Sequence, residues 1–188
     1  MSARAYTPKG VPAPLAQLPN ALTMARLALV PVFAAVLAAA DGGHSWPAAV
    51  IFGVAGVTDQ IDGFLARRWR VVSRFGAVFD PLADRLMIDA AIIVLTVDHR
   101  LPWAALAIIA FRDGVLALGG RYLTKRGVEL SVNTLGKAGT WLLYAGIGFR
   151  IGFHDDTHWP LYLFWTGLGL ALLAGIIYVR TAWKALPR

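Results

Sequence analysis

Four aspartates, Asp59, Asp62, Asp80 and Asp84, stand in stretches otherwise apolar enough for membrane-buried helix. An ionisable residue near a bilayer centre costs roughly 2.5–3.5 kcal/mol on insertion scales, so four without compensation would cost on the order of 10 kcal/mol. A bound multivalent cation is the simplest compensation. Asp59 and Asp62 are three residues apart and Asp80 and Asp84 four apart, so each pair projects from one face of its own helix. Two such faces can close on one site. Oxygen-only donors suit Mg²⁺, or Mn²⁺ with the same ligand preference, and such ions are often bound together with substrate phosphates. Gly63 and Ala66 continue the stripe one turn after Asp59 and Asp62, as small residues on which a flat or bulky ligand can lie. Arg67 follows, a fixed cation whose planar fork matches phosphate oxygens. In phosphoryl chemistry metal ions neutralise phosphate charge and stabilise the leaving oxygen, while a positioned base activates the attacking hydroxyl. With four carboxylates, three can be mainly ligands and one can double as base.

The pattern Asp59-x2-Asp62-Gly63-x2-Ala66-Arg67-x8-Gly76-x3-Asp80-x3-Asp84 resembles the signature of the CDP-alcohol phosphatidyltransferase family, with every motif position filled. Any one of these residues could be an interfacial ion pair or a helix-packing position, but eight fixed residues over 26 positions form a specific match. The resemblance extends over most of the chain. It implies an enzyme that binds CDP-diacylglycerol at the membrane interface, lets an alcohol hydroxyl attack the phosphorus attached to the diacylglycerol, and releases CMP. It further implies that Asp59, Asp62 and Asp80 hold a two-metal centre, and that Asp84 completes it and deprotonates the acceptor. By the same resemblance Gly63, Ala66 and Gly76 leave room for the cytidine and Arg67 touches the nucleotide phosphate. The segment PNALTMAR resembles the start of bacterial phosphatidylglycerophosphate and cardiolipin synthases, which adds Asn20 and Thr23 to the CDP-binding set. A homodimer is also implied.

The elements that position these residues follow from composition. The chain has 188 residues, 57% hydrophobic and 15% charged, too apolar for an ordinary soluble protein. The expected fold is all-α: a polytopic membrane protein of six transmembrane helices. Spans are expected at about 20–40, 46–69, 76–97, 102–124, 134–152 and 159–183. Residues 1–19, with four prolines, read as an interfacial tail, leaving 20–188 as the catalytic domain. Asn20 is the expected N-cap of the first span. Asn20, Thr23 and Arg26 form one polar stripe, where Arg26 can snorkel to the interface. Pro81 disfavours helical geometry at Asp80, so the third helix is expected to start near Asp80 or to be distorted there. Absence of cysteine excludes disulfides, cysteine-ligated zinc and thiol catalysis.

Arg67, Arg68, Arg70 and Arg74, then Lys125 and Arg126, then Lys184 and Arg188 mark one side. The excess of basic residues makes that side cytoplasmic, with both termini and the aspartates. The location is therefore the cytoplasmic membrane, and the net charge of +7 points to anionic lipid rather than nucleic acid. The opposite loops hold all four histidines. In the loop HDDTH at 154–158, solvation alone accounts for the polar residues.

The acceptor is a lipid or a polyol phosphate. Arg112, Arg121 and Lys137 are candidates for binding its phosphate, whether in glycerol 3-phosphate, inositol phosphate or phosphatidylglycerol. The runs FRDGVLALGGRYLTKRG and LGKAGTWLLYAG look more like actinobacterial cardiolipin synthases of this family than like typical phosphatidylglycerophosphate synthases, which usually carry Arg-Glu rather than Arg112–Asp113. Phosphatidylglycerol is thus the expected acceptor and cardiolipin the expected product. A cation transporter would also explain intramembrane carboxylates, but not Gly63, Ala66 and Arg67 beside them. A non-catalytic scaffold would not need them at all.

Overall fold

The computed structural model describes residues 13–40, 44–69, 74–126 and 134–185. Within those helices, side chains at 13–17, 19, 62, 65–67, 69, 74–81, 84, 121, 124–125 and 184–185 lie outside the described residues. The described residues form six helices: α1 (Ala13–Ala38), α2 (Trp46–Trp69), α3 (Arg74–Val97), α4 (Trp103–Lys125), α5 (Thr134–Gly152) and α6 (Trp159–Ala185). The described residues contain no strand. Among the described residues three stretches, Asn20–Ala38, Trp103–Gly120 and Trp159–Trp183, are long and apolar enough to cross a membrane. In α2 and α3 the charged residues lower the hydropathy, and in α5 glycines together with Lys137 and Arg150 do so. Large apolar side chains such as Phe111, Leu118, Tyr162 and Trp183 stand at least 70% exposed, a surface that belongs against hydrocarbon. The protein is a polytopic helical membrane protein.

Two helix starts differ from the sequence expectation. α1 begins at Ala13, so Asn20 is not its N-cap but lies two turns inside. Pro14 explains this: in a first turn its missing N–H and fixed φ are tolerated, while the alanines and leucines around it favour helix. α3 begins at Arg74 and continues through Pro81, so it does not start near Asp80. Pro81 offers no N–H to the carbonyl of Ala77, four residues earlier, which forfeits one rung of the ladder without ending the helix. Elsewhere the ends are capped locally. Ser45 Oγ accepts the Ala48 N–H at 3.2 Å to open α2. α3 closes on His99, at φ 58°, with the Arg100 and Leu101 N–H groups both donating to Leu95 O, a left-handed cap of the kind glycine usually supplies.

The chain forms two compact units, Met1–Val94 and Leu95–Arg188. In the first, α1 and α2 pack against each other. In the second, α5 lies close against α6 because glycines stand at the crossing: a Cβ on Gly139 would come within 2.7 Å of Ala171 N, and one on Gly146 within 2.5 Å of Phe164 N. A Cβ on Gly167 would collide with Leu143 N. Small residues let membrane helices approach backbone to backbone. Gly167 and Ala171, a small-residue face that could serve a dimer, are therefore occupied within the chain.

The second unit also contains an arginine pair that sequence reading missed. Arg100 and Arg150 are both buried. Arg100 Nε donates to Asp155 Oδ1 at 2.7 Å, and its Nη2 donates to Arg150 O at 2.6 Å and Phe153 O at 2.8 Å. Arg150 Nη2 lies 3.0 Å from the same Asp155 Oδ1, and Arg150 Nε donates back to Arg100 O at 3.3 Å. Solvation alone thus does not explain the 154–158 loop: Asp155 neutralises two arginines whose burial would otherwise be costly.

Candidate active site

The α1–α2 contact is built from two stripes. On α1, Thr23, Arg26, Phe33 and Leu37 are buried; on α2, Ala48, Phe52 and Ala55 are buried. These spacings of three, four and seven residues define one helix face. Phe33 meets Phe52 with ring centroids 5.7 Å apart. Seven residues back along α1 and seven forward along α2, Arg26 meets Asp59, with Nη1 donating to Oδ1 at 2.9 Å. The helices run antiparallel, and one heptad separates the aromatic contact from the ionic one. Asp59 therefore continues the apolar seam of α2 rather than leaving it.

Arg26 is 2% exposed and Asp59 25% exposed. Asp59 sits about 20 Å along the helix axis from Trp46 and about 15 Å from Trp69, well inside α2. Arg26 does not snorkel to an interface; its guanidinium turns inward onto the first carboxylate of the signature. A charge at such depth is tolerated when paired. Thr58, next to Asp59, is satisfied by its own helix, its hydroxyl donating to Val54 O and Ala55 O at 2.9 Å each.

The remaining signature positions are placed by their helices. Asp62, Gly63, Ala66 and Arg67 follow Asp59 on α2, and Gly63 is partly exposed. Gly76, Asp80 and Asp84 belong to α3. In helical register, positions 80 and 84 continue the spacing of buried Met87 and Ala91. The side-chain roles expected for Asp62, Ala66, Arg67, Gly76, Asp80, Asp84 and Arg121 fall outside the described residues. Of the expected CDP-binding residues on α1, Thr23 is buried and Asn20 partly exposed. Among the expected acceptor residues, Arg112 on α4 is 3.2 Å from Asp113 through Nη1, and Lys137 on α5 is exposed. Arg26 was not among the expected site residues. Its signal was present in the three-residue recurrence with Asn20 and Thr23 and in the seven residues to Phe33.

The donor chemistry at Asp59 fits a hard divalent cation. Among the described residues Arg26 donates to its Oδ1, and Asp62 stands one turn further on the same helix. Carboxylate oxygens are the preferred ligands of such ions.

Fold and site thus define a helical membrane protein with paired carboxylates on consecutive helices. Residues 16–177 match the profile of the family described as CDP-alcohol phosphatidyltransferase. The chain is 32% identical to the CDP-diacylglycerol–glycerol-3-phosphate 3-phosphatidyltransferase of Bacillus subtilis (strain 168), over 90% of this chain and 96% of that protein. It is 33% identical to the protein of the same name from Escherichia coli (strain K12), over 69% of this chain and 82% of the relative. The chain belongs to the CDP-alcohol phosphatidyltransferase family. It is an enzyme of that class, and the family generally uses divalent metal ions.

Proposed function

We propose that this enzyme transfers the phosphatidyl group of CDP-diacylglycerol to glycerol 3-phosphate, forming phosphatidylglycerophosphate and releasing CMP. The acceptor replaces the phosphatidylglycerol expected from sequence. The observation that carries it is the shared name of the two relatives, one of them aligned over nearly its whole length. The Asp-for-Glu difference at Arg112–Asp113, which favoured cardiolipin synthesis, preserves the charge and leaves the carboxylate within 3.2 Å of Arg112. It is a weak guide to the acceptor.

In this reading Asp59, Asp62, Asp80 and Asp84 hold the divalent ions, whose chemistry is to neutralise the pyrophosphate and the developing charge on the CMP oxygen. Asp84 takes the proton of the attacking glycerol hydroxyl. That oxygen bonds to the phosphorus bearing the diacylglycerol, and the bond from this phosphorus to the CMP oxygen breaks. Asn20, Thr23, Gly63, Ala66 and Gly76 bound the nucleotide, and Arg67 meets its phosphate. Arg112, Arg121 and Lys137 meet the acceptor's phosphomonoester, which carries nearly two charges. In this reading the site and both termini face the cytoplasm, which the excess of Lys and Arg in one set of sequence segments supports. The assembly in this reading is a homodimer; a monomeric mass in both mild detergent and nanodiscs would count against it.

An acceptor panel tests the reaction. Purified protein given CDP-diacylglycerol and Mg²⁺ or Mn²⁺ is expected to release CMP with glycerol 3-phosphate, and little with phosphatidylglycerol or inositol phosphate. Excess chelator is expected to stop turnover. Cardiolipin as the main product overturns the acceptor but not the transfer. CDP-diacylglycerol binding without CMP release for any acceptor overturns the reaction, and cation flux through proteoliposomes would then favour a transporter.

A further inference from the structure

We propose that Arg26 is a positioning residue of the carboxylate site: it fixes the rotamer of Asp59 so that Oδ2 is presented to a divalent cation. The inference rests on the phosphatidyltransferase reading and adds a residue outside the eight-position signature. Arg26 is 2% exposed and belongs to the buried α1 stripe with Thr23, Phe33 and Leu37. Its partner lies 33 residues away on α2, at 2.9 Å.

The register of the two helices is held independently of this pair, by Phe33 on Phe52 and by the buried alanines Ala48 and Ala55. With that register set, the guanidinium Nη1 reaches Oδ1 of Asp59. A carboxylate held through Oδ1 loses torsional freedom before any cation arrives, so less ordering remains to be done on binding. Hydrogen-bond partners of ligating carboxylates are typically worth 10–100-fold in metal affinity. A lysine would preserve the charge but not the direction, because an ammonium is a rotatable point charge and a guanidinium a planar fork. If Arg26 instead merely ties α1 to α2, its loss lowers stability and leaves cation affinity unchanged.

The test is Mn²⁺ binding to the substrate-free, full-length protein in detergent, followed by the electron paramagnetic resonance signal of free Mn²⁺. Wild type, Arg26→Met and Arg26→Lys are compared, with thermal unfolding recorded alongside. Arg26→Met is expected to bind Mn²⁺ about tenfold more weakly or worse, and Arg26→Lys to fall between it and wild type. In CMP release the Mn²⁺ concentration for half-maximal rate should rise correspondingly, with the rate at saturating Mn²⁺ within a few-fold of wild type. Unchanged Mn²⁺ affinity in the folded variants overturns the proposal. Should Arg26→Met fail to fold, Arg26→Lys decides by the same criterion. A wild-type protein that binds no Mn²⁺ and releases no CMP overturns the underlying reading instead.

Discussion

Asp80→Asn is expected to lower CMP release by about a thousandfold or more, equivalent to about 4 kcal/mol of transition-state stabilisation, with little change in thermal stability. An amide keeps the shape of the carboxylate but removes the charge that holds a cation against a pyrophosphate. Asp59→Asn should match it in activity and differ in stability. Here the substitution strips the counter-charge from Arg26, which is 2% exposed. Removing one partner of a buried pair costs about 3–5 kcal/mol in the general case; the amide oxygen still accepts a hydrogen bond and Asp59 is partly exposed, so about 1–2 kcal/mol is expected. The paired measurement is the CMP release rate at saturating Mn²⁺ and the thermal midpoint of each variant. Retention of more than a tenth of wild-type activity in Asp80→Asn would remove it from the ligand set.

Arg100→Met is expected to destabilise the second unit strongly. Its guanidinium satisfies the carbonyls of Arg150 and Phe153 and one oxygen of Asp155, and methionine fills much of the volume while donating nothing. Two carbonyls lose their donor, at about 1–3 kcal/mol for each one left buried. The Asp155 contribution is smaller because that side chain is 55% exposed and water can replace the lost partner. A net loss of about 3 kcal/mol corresponds to a fall in melting temperature of about 10 °C for a chain of this size. Asp156→Asn, an exposed neighbour, should shift it little. A fall of less than about 2 °C in Arg100→Met would mean that the arginine cluster is not what anchors the 154–158 loop.

Much of the helical layout was legible because the cues are local. Trp46, Trp103 and Trp159 each stand at the first residue of a helix, where an amphipathic ring prefers the interface, and polar or glycine-rich segments break the apolar runs between them. The carboxylate spacings were legible for the same reason: i,i+3 and i,i+4 are properties of a single helix. Proline was the ambiguous local cue. The same residue type marks a first turn at Pro14 and lies inside continuing helix at Pro19 and Pro81, so a proline alone does not say which applies.

By itself, then, the amino-acid order determined the helices seen among the described residues and the resemblance to a phosphatidyltransferase, and it singled out the residues expected to carry a cation and phosphate chemistry. It could not determine which helix faces meet. Arg26 and Asp59 are 33 residues apart, and Arg100 and Asp155 are 55 apart; nothing within a turn of either arginine names its partner. Arg26 read as a snorkelling residue and Asp155 as a solvated one, since each alone can be satisfied by water. The pairings arise only when apolar seams are buried: Phe33 on Phe52 sets the register that brings Arg26 to Asp59, and Gly139, Gly146 and Gly167 let α5 and α6 close together. Side-chain periodicity specifies a face of each helix, whereas the register between two faces is a property of their packed volumes.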